Sequence, residues 1–126
     1  MKLLNKNAII TGGSRGMGGA ISKLFAKEGA NISYCHFNDE KNANETKNFI
    51  ESLGRKCLSL NLDISSKKNC DLLVSKTIEE IGSPDILVNN AGIIYVRPFE
   101  QATEEEFDKT INVHLKSTFF ITQNCY

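Results

Sequence analysis

The sequence lacks an excess of charge of either sign. Its 15 Lys and Arg residues balance 15 Asp and Glu residues, so the formal net charge is zero. Proteins that bind nucleic acid or anionic lipid usually carry excess positive charge that attracts the polyanion. We therefore expect neither nucleic acid nor a membrane surface among the partners of this chain.

Long apolar stretches are also missing. The N-terminal Met-Lys-Leu-Leu is interrupted by Asn5, Lys6 and Asn7, so it lacks the apolar core of a secretory signal. The longest apolar run, at 91–96, is far shorter than a membrane span of roughly 20 residues. We expect no signal and no membrane-spanning segment.

Paired cysteines are absent as well. None of the four cysteines stands in a C-x-x-C motif, the spacing common in zinc and redox sites. This pattern favours reduced thiols without a metal, in a protein of the cytoplasm. The four residues are Cys35, Cys57, Cys70 and Cys125.

What is present is the composition of one globular domain. The chain has 126 residues, of which 40% are hydrophobic and 24% charged. A chain of this length can bury a substantial core. No linker, repeat or low-complexity tract divides it, so we expect a single domain over residues 1–126.

Short apolar segments typical of strands alternate with segments of helical period. Strands are predicted at 7–11, 30–35, 57–63 and 85–90. The first helix carries one apolar face, formed by Met17, Ala20, Ile21, Leu24 and Phe25. Each of the first three helices is followed by a glycine that can end it: Gly29, Gly54 and Gly82.

Capping residues indicate where the later helices begin. Asn38 or Asp39 can cap the second helix, and Ser65 or Ser66 the third. Thr103 and Glu106 form a capping box at the start of a long fourth helix that runs to residue 126. The element order βαβαβαβα predicts an α/β fold: a parallel sheet in the order 3-2-1-4 with helices on both faces.

Five glycines fall within the ten residues TGGSRGMGGA (11–20), between the first strand and the first helix. A helix N-terminus offers free N–H groups and partial positive charge to a phosphate. Gly12, Gly16 and Gly18 lack the Cβ atoms that would keep a ligand from the backbone. The turn is therefore predicted to bind a diphosphate.

The glycine spacing alone leaves the ligand open. It does not match G-x-G-x-x-G, and Gly19-Ala20 stands where a P-loop requires Lys-Ser/Thr. A methyl-donor cofactor would favour an acid at the end of the second strand, where none appears before Asp39. A tight turn without a ligand is the simplest alternative.

Four segments resemble the short-chain dehydrogenase/reductase family. TGGSRGMG (11–18) resembles its T-G-x-x-x-G-x-G cofactor motif, and NNAG (89–92) its second signature. DIS (63–65) resembles its adenine-contacting position, and INVHLKSTFFITQ (111–123) its fourth helix. The resemblance covers essentially the whole chain, is closest to 3-oxoacyl-carrier-protein reductases and glucose dehydrogenases, and implies a Rossmann-type fold.

The resemblance also implies a role for each matched residue. The diphosphate and adenosine ribose would be surrounded by Gly12, Ser14, Arg15, Gly16, Met17 and Gly18. Asp63 would accept a hydrogen bond from the adenine amino group, with Ile64 beside the ring. The nicotinamide-side ribose would lie along Asn90, Ala91 and Gly92. The catalytic Asn112 would bend the fourth helix and hold a water of the proton relay.

Simpler roles remain open for three of these residues. Asp63 could end a strand, Asn90 could form a turn, and Asn112 could be a helix-surface residue.

The cofactor is predicted to be NADP(H), with NAD(H) less favoured. An acid near the end of the second strand would bind the ribose 2′-hydroxyl and repel a 2′-phosphate. His36 occupies the aligned position, and is expected to be a partly exposed loop residue that could assist when charged. Arg15 lies in the glycine turn, and its guanidinium group is well suited to bind a phosphate. Phe37 stands where some relatives carry a second arginine, so the preference is expected to be modest.

His114 is expected on the surface or at an interface, not as a base.

The family reduces carbonyls or oxidises alcohols with a Ser and a Tyr-x-x-x-Lys, and neither has a counterpart here. Tyr126 has no lysine after it. We therefore expect the N-terminal half of a reductase that is inactive alone. The alternative is a catalytically silent dinucleotide-binding module or the remnant of a truncated gene. A full-length relative would act on a small carbonyl or alcohol and form a homo-oligomer.

Overall fold

The computed structural model describes residues 1–126, in which strands and helices alternate. The strands are β1 (Asn7–Thr11), β2 (Asn31–His36), β3 (Cys57–Asn61) and β4 (Ile86–Val88). The helices are α1 (Gly16–Lys27), α2 (Glu40–Ser52), α3 (Lys67–Glu80), α4 (Glu104–Ile111) and α5 (Ser117–Cys125). A short 3₁₀ turn spans Phe99–Gln101.

The four strands form one parallel sheet in the order β3-β2-β1-β4, as predicted. Ile9 is opposite Ser33 of β2 on one side and Leu87 of β4 on the other. β4 is shorter than the predicted 85–90. It ends early because the Asn90 N–H donates to the Thr11 hydroxyl and not to the backbone of β1.

Alternating side chains of the sheet fill two separate cores. Ala8, Ile10, Ile32 and Tyr34 pack with residues of α1 and α2 on one face. Ile9 and Cys35 pack on the other face with Ile64, three residues of α3 and Ile121 of α5. The period-2 alternation along β1 and β2 thus places helices on both faces of the sheet.

The inward face of α1 differs from the prediction. Its buried residues are small: Gly18, Gly19, Ser22 and Ala26. Met17 and Leu24, which the helical period assigned to the apolar face, are exposed. α1 crosses the glycine turn so closely that only small residues fit between them, and this displaces the larger side chains outward.

Most predicted helix boundaries are confirmed. Gly29, Gly54 and Gly82 all have positive φ after their helices. Ser66 caps α3 and Thr103 caps α4, each accepting a backbone N–H three residues later. The second contact of the predicted capping box, from the Glu106 carboxylate back to the Thr103 N–H, is not formed. Glu106 pairs instead with Arg97 at 2.7 Å, so this part of the prediction is wrong.

The predicted long fourth helix runs from 104 to 125 with an irregular centre. Residues Asn112–Lys116 form a π-helical segment between α4 and α5. A π segment inserts extra length into a helix and redirects the side chains around it, often at functional sites. None of the helices combines the length and the apolar character that a membrane span requires.

Candidate functional site

A cleft of about 410 Å³ opens at the carboxyl ends of the strands. It lies where the strand order reverses between β1 and β4, the position at which parallel sheets usually bind ligands. It collects ten of the predicted site residues: Gly12, Ser14, Arg15, Gly16, His36, Asp63, Ile64, Asn90, Ala91 and Gly92. Met17, Gly18 and Asn112 do not line it.

Thr11 and Asn90 join the two loops that form the floor of the cleft. The Thr11 hydroxyl accepts the N–H groups of Asn90 and Ala91 at 3.0 and 2.9 Å. Asn90 Nδ2 donates in turn to the carbonyl oxygens of Thr11 and Gly12, at 3.1 and 3.3 Å. Asn90 therefore holds the glycine turn in place in addition to lining the cleft.

The glycines of the turn serve different purposes. Gly16 has a φ of +57°, and a Cβ there would meet no atom within 4 Å, so its backbone faces open space. A Cβ at Gly18 would lie 2.1 Å from the Gly12 carbonyl oxygen. Gly18 is therefore needed for close packing of α1 on the turn. At Gly18 the absent Cβ serves this packing, whereas at Gly16 the backbone faces the open space that a ligand would need.

Asp39 is a site residue that the sequence analysis did not identify. Its carboxylate accepts hydrogen bonds from Ser14 Oγ and Asn42 Nδ2, both at 2.9 Å, and lies 3.7 Å from Arg15 Nε. Desolvation acts to raise the pKa of Asp39, but these hydrogen bonds and the Arg15 guanidinium outweigh it and lower the pKa below its usual value. Asp39 is thus an anion within the glycine-turn corner of the cleft.

His36 is the last residue of β2, and its side chain is only 3% exposed. The prediction of a partly exposed loop histidine is therefore wrong. Its Nδ1 accepts the Asp39 N–H at 3.2 Å, and its Nε2 lies 3.9 Å from Glu40. Asn38, with a φ of +55°, reverses the chain between them. The turn after β2 thereby brings Asp39 back to the glycine turn.

Asp63, in the loop after β3, also lines the cleft, and its carboxylate already has partners. Its carboxylate is 2.6 Å from Lys109 Nζ on α4 and accepts the Ser65 N–H at 3.0 Å. Burial acts to raise the pKa of Asp63, but Lys109 and Ser65 together lower it. Lys109, which the sequence analysis also missed, ties the loop after β3 to α4.

The π segment meets the loop after β4 through His114. His114 Nε2 lies 3.0 Å from the backbone nitrogen and 2.8 Å from the carbonyl oxygen of Ile93. A Cβ at Gly92 would lie 2.5 Å from the imidazole. His114 is exposed, as expected for a surface residue, but it also positions the chain that lines the cleft. The sequence feature that could have indicated this contact is a histidine two residues after the predicted site residue Asn112.

Asn112 begins the π segment, at the position where a bend was expected. It lines a separate shallow depression on α4, together with Tyr95, Glu104, Glu105, Asp108 and Lys109. The structure therefore does not bring Asn112 into the cleft with the predicted cofactor residues.

Known proteins resemble this chain along its whole length. The family described as short chain dehydrogenase matches residues 6–126. An uncharacterized oxidoreductase, YhxC, of Bacillus subtilis (strain 168) is 41% identical over 97% of this chain and 43% of its own length. L-2,3-butanediol dehydrogenase of Corynebacterium glutamicum is 36% identical over 93% of this chain and 46% of its own.

Solved structures give the same result. A short chain dehydrogenase from Burkholderia cenocepacia J2315, crystallised with NADP, superposes with a TM-score of 0.97 at 33% identity. The match covers 99% of this chain and 51% of that one. The chain thus spans about half the length of the relatives it matches. Sequence and structure agree that it belongs to the short-chain dehydrogenase family, whose members are oxidoreductases.

Proposed function

We propose that residues 1–126 are the dinucleotide-binding domain of an NADP(H)-dependent oxidoreductase that interconverts a carbonyl and an alcohol. The supporting observation is the N-terminus of α1. Ser66 and Thr103 cap α3 and α4, whereas α1, like α2, has no side-chain cap. The relevant helix is α1. Its first turn adjoins the cleft at Gly16, where the backbone is uncovered. An anion at this position would take the place of the missing cap.

The residues present fit such a cofactor. Gly16, Met17 and Gly18 form the first turn of α1, with Ser14 and Arg15 before it. We assign the diphosphate and the adenosine ribose to this corner. Asp63 and Ile64 form the adenine side, with the carboxylate oriented by Lys109. Asn90, Ala91 and Gly92 form the wall on the nicotinamide side. A bound nicotinamide supplies or accepts the hydride.

Arg15 carries the proposed preference for NADP(H) over NAD(H). A guanidinium hydrogen-bonded to a phosphate contributes about 1.5–3 kcal/mol, or roughly tenfold or more in affinity. We expect the lower end, because the Arg15 side chain is 73% exposed and lies beside Asp39. Titration of NADPH and NADH into wild type and Arg15→Ala tests this. Equal affinities in wild type that the substitution leaves unchanged would remove Arg15 from the site.

We also propose that these 126 residues alone bind cofactor without turnover. Neither Tyr34 nor Tyr95 is followed by a lysine four residues later. A missing general acid typically costs 10²–10⁴-fold in rate. This observation also supports the second candidate function, a catalytically silent dinucleotide-binding module.

The experiment is NADPH oxidation with simple ketones and 3-oxoacyl thioesters, followed at the nicotinamide absorbance. We expect no rate above the reaction without protein. Sustained oxidation that Asn112→Ala abolishes would instead show Asn112 at work in a catalytic site within these residues. Asn112 remains our proposed catalytic residue for the whole enzyme, and His114→Ala is the matched comparison from the same π segment.

The full-length protein is proposed to be a cytoplasmic homo-oligomer. Large apolar side chains along α4, the π segment and α5, including Phe107, Leu115 and Phe119, are exposed in the isolated chain. Exposed apolar patches of this kind commonly mark interaction surfaces. Sedimentation of the full-length protein at several concentrations tests this, and a monomer throughout would contradict it.

A further inference from the structure

The glycine-turn corner of the cleft contains a built charge cluster. Asp39 is 14% exposed and is fixed on both oxygens, by Ser14 and Asn42. Ser14 is itself held, because its carbonyl oxygen accepts the Thr46 hydroxyl at 2.7 Å. The carboxylate is therefore held in place by the turn, and Arg15 is its exposed partner.

The charges that line the cleft are balanced in pairs. Arg15 lies beside Asp39 at 3.7 Å, and Lys109 contacts Asp63 at 2.6 Å. A 2′-phosphate entering this corner would therefore meet a guanidinium that already has an anionic neighbour. Two anions that share one cation repel each other, and this repulsion is strongest where the carboxylate is shielded from solvent.

The strand end itself offers no competing charged group. His36, at the end of β2, is buried, and its Nδ1 accepts the Asp39 N–H. Phe37 is apolar and exposed. Glu40, 3.9 Å from His36 Nε2, does not line the cleft, whereas Asp39, three residues beyond the strand, does. We therefore assign any acidic discrimination at this corner to Asp39.

We propose that Asp39 is the residue that determines cofactor selectivity in this chain, because it opposes the attraction of Arg15 for a 2′-phosphate. The inference rests on the proposed function. Its consequence is that the preference for NADP(H) is small in the wild type and becomes large when the Asp39 charge is removed.

The test uses the adenosine fragments of the two cofactors, adenosine 2′,5′-bisphosphate for NADP(H) and 5′-AMP for NAD(H). Both probe this corner without the nicotinamide. Both are titrated by calorimetry into the 126-residue chain as wild type, Asp39→Asn, Arg15→Ala and the double variant. Asp39→Asn keeps the shape and a hydrogen-bonding oxygen. Asp108→Asn on α4 makes the same change in net charge outside the cleft, and serves as the control.

We expect Asp39→Asn to raise the affinity for the bisphosphate about tenfold while 5′-AMP changes by less than about twofold. The gain should be smaller in the Arg15→Ala background, and absent in Asp108→Asn. Thermal unfolding of each variant confirms that the fold is retained.

A ratio of the two affinities that Asp39→Asn leaves within about twofold of wild type would overturn the inference while the proposed function stands. A weaker affinity for the bisphosphate would also overturn it, since Asp39 would then orient Arg15 for the phosphate. If neither compound binds any variant, the proposed function fails, and the inference fails with it.

Discussion

Two regions of the molecule border the cleft and are packed very differently. The glycine-turn region, residues 7–39, packs small residues closely and satisfies its buried polar groups. In the α4 region, residues 92–126, the buried residues form only a narrow stripe of Val113, Ser117 and Ile121. Phe99 is 93% and Phe107 64% exposed there. The glycine-turn region finds partners for its buried groups within these residues, whereas the α4 region leaves large apolar side chains exposed to solvent.

The contrast shows how one corner of the cleft can be shaped by a chain that spans about half the length of its relatives. Closely packed glycines and partly buried hydrogen bonds shape the corner that we assign to the diphosphate, and the groups that form them lie within residues 7–91. The α4 region contributes Gly92, Ile93, Lys109 and Val113 to the cleft, and His114 contacts Ile93. Substitutions should therefore cost most in the glycine-turn region and least on α4.

The largest effect is expected from Gly18→Ala. The added Cβ would lie 2.1 Å from the Gly12 carbonyl oxygen, which is backbone and cannot rotate away. We expect a loss of about 3 kcal/mol in the free energy of unfolding, measured by urea denaturation. Gly16→Ala is the control: its Cβ meets open space, so the cost is only that of the left-handed backbone, about 1 kcal/mol. Equal losses in both variants would contradict the close-packing role.

Thr11→Val should rank second. Valine keeps the buried shape but removes the oxygen that accepts the N–H groups of Asn90 and Ala91. Two partly buried donors without a partner should cost about 2 kcal/mol. Thr103→Val, at the exposed cap of α4, should cost about 1 kcal/mol. If Thr103→Val is more destabilised in urea than Thr11→Val, substitutions do not cost more stability in the glycine-turn region than on α4.

His114→Ala should have a local effect. The imidazole bonds the backbone of Ile93, so its loss should release the loop after β4 at a cost of about 1 kcal/mol. We expect faster hydrogen exchange at the Ile93 amide, measured by NMR. Asn112→Ala, from the same π segment, should leave this exchange rate unchanged. A slower or unaltered rate in His114→Ala would show that the loop is held by other contacts.

Lys109→Met should have the smallest effect, and one that depends on pH. Since Lys109 lowers the folded-state pKa of Asp63, the pair stabilises the fold above the unfolded pKa of about 4 and loses this contribution as pH falls through the lower folded value. The expected loss near neutral pH is under about 1 kcal/mol, because both side chains are partly exposed.

The stability difference between wild type and Lys109→Met should therefore shrink in acid. Urea denaturation at pH 7 and at pH 3 measures it. Lys67→Met removes the partner of Asp71 on the surface of α3, and is the control for an exposed pair. A difference for Lys109→Met that grows on acidification would contradict the assigned ion pair.

Local features of the sequence determined the element order, the parallel sheet and the ends of the helices. Periodicity reports which backbone conformation a segment adopts, and glycines such as Gly29 and Gly54 mark where the left-handed region is needed. The motifs at 11–18 and 89–92 also located the cleft, because carboxyl ends of parallel strands necessarily lie at one edge.

Only the tertiary structure decided which side chains of the site meet. The Asn90 hydrogen bonds to Thr11 join residues 79 positions apart, and the contact of Asp39 with Ser14 spans 25. The burial of His36 and the outward position of Met17 depend equally on neighbouring elements. No local pattern encodes such pairs, since they depend on how closely α1 approaches the turn and on how the chain reverses at Asn38.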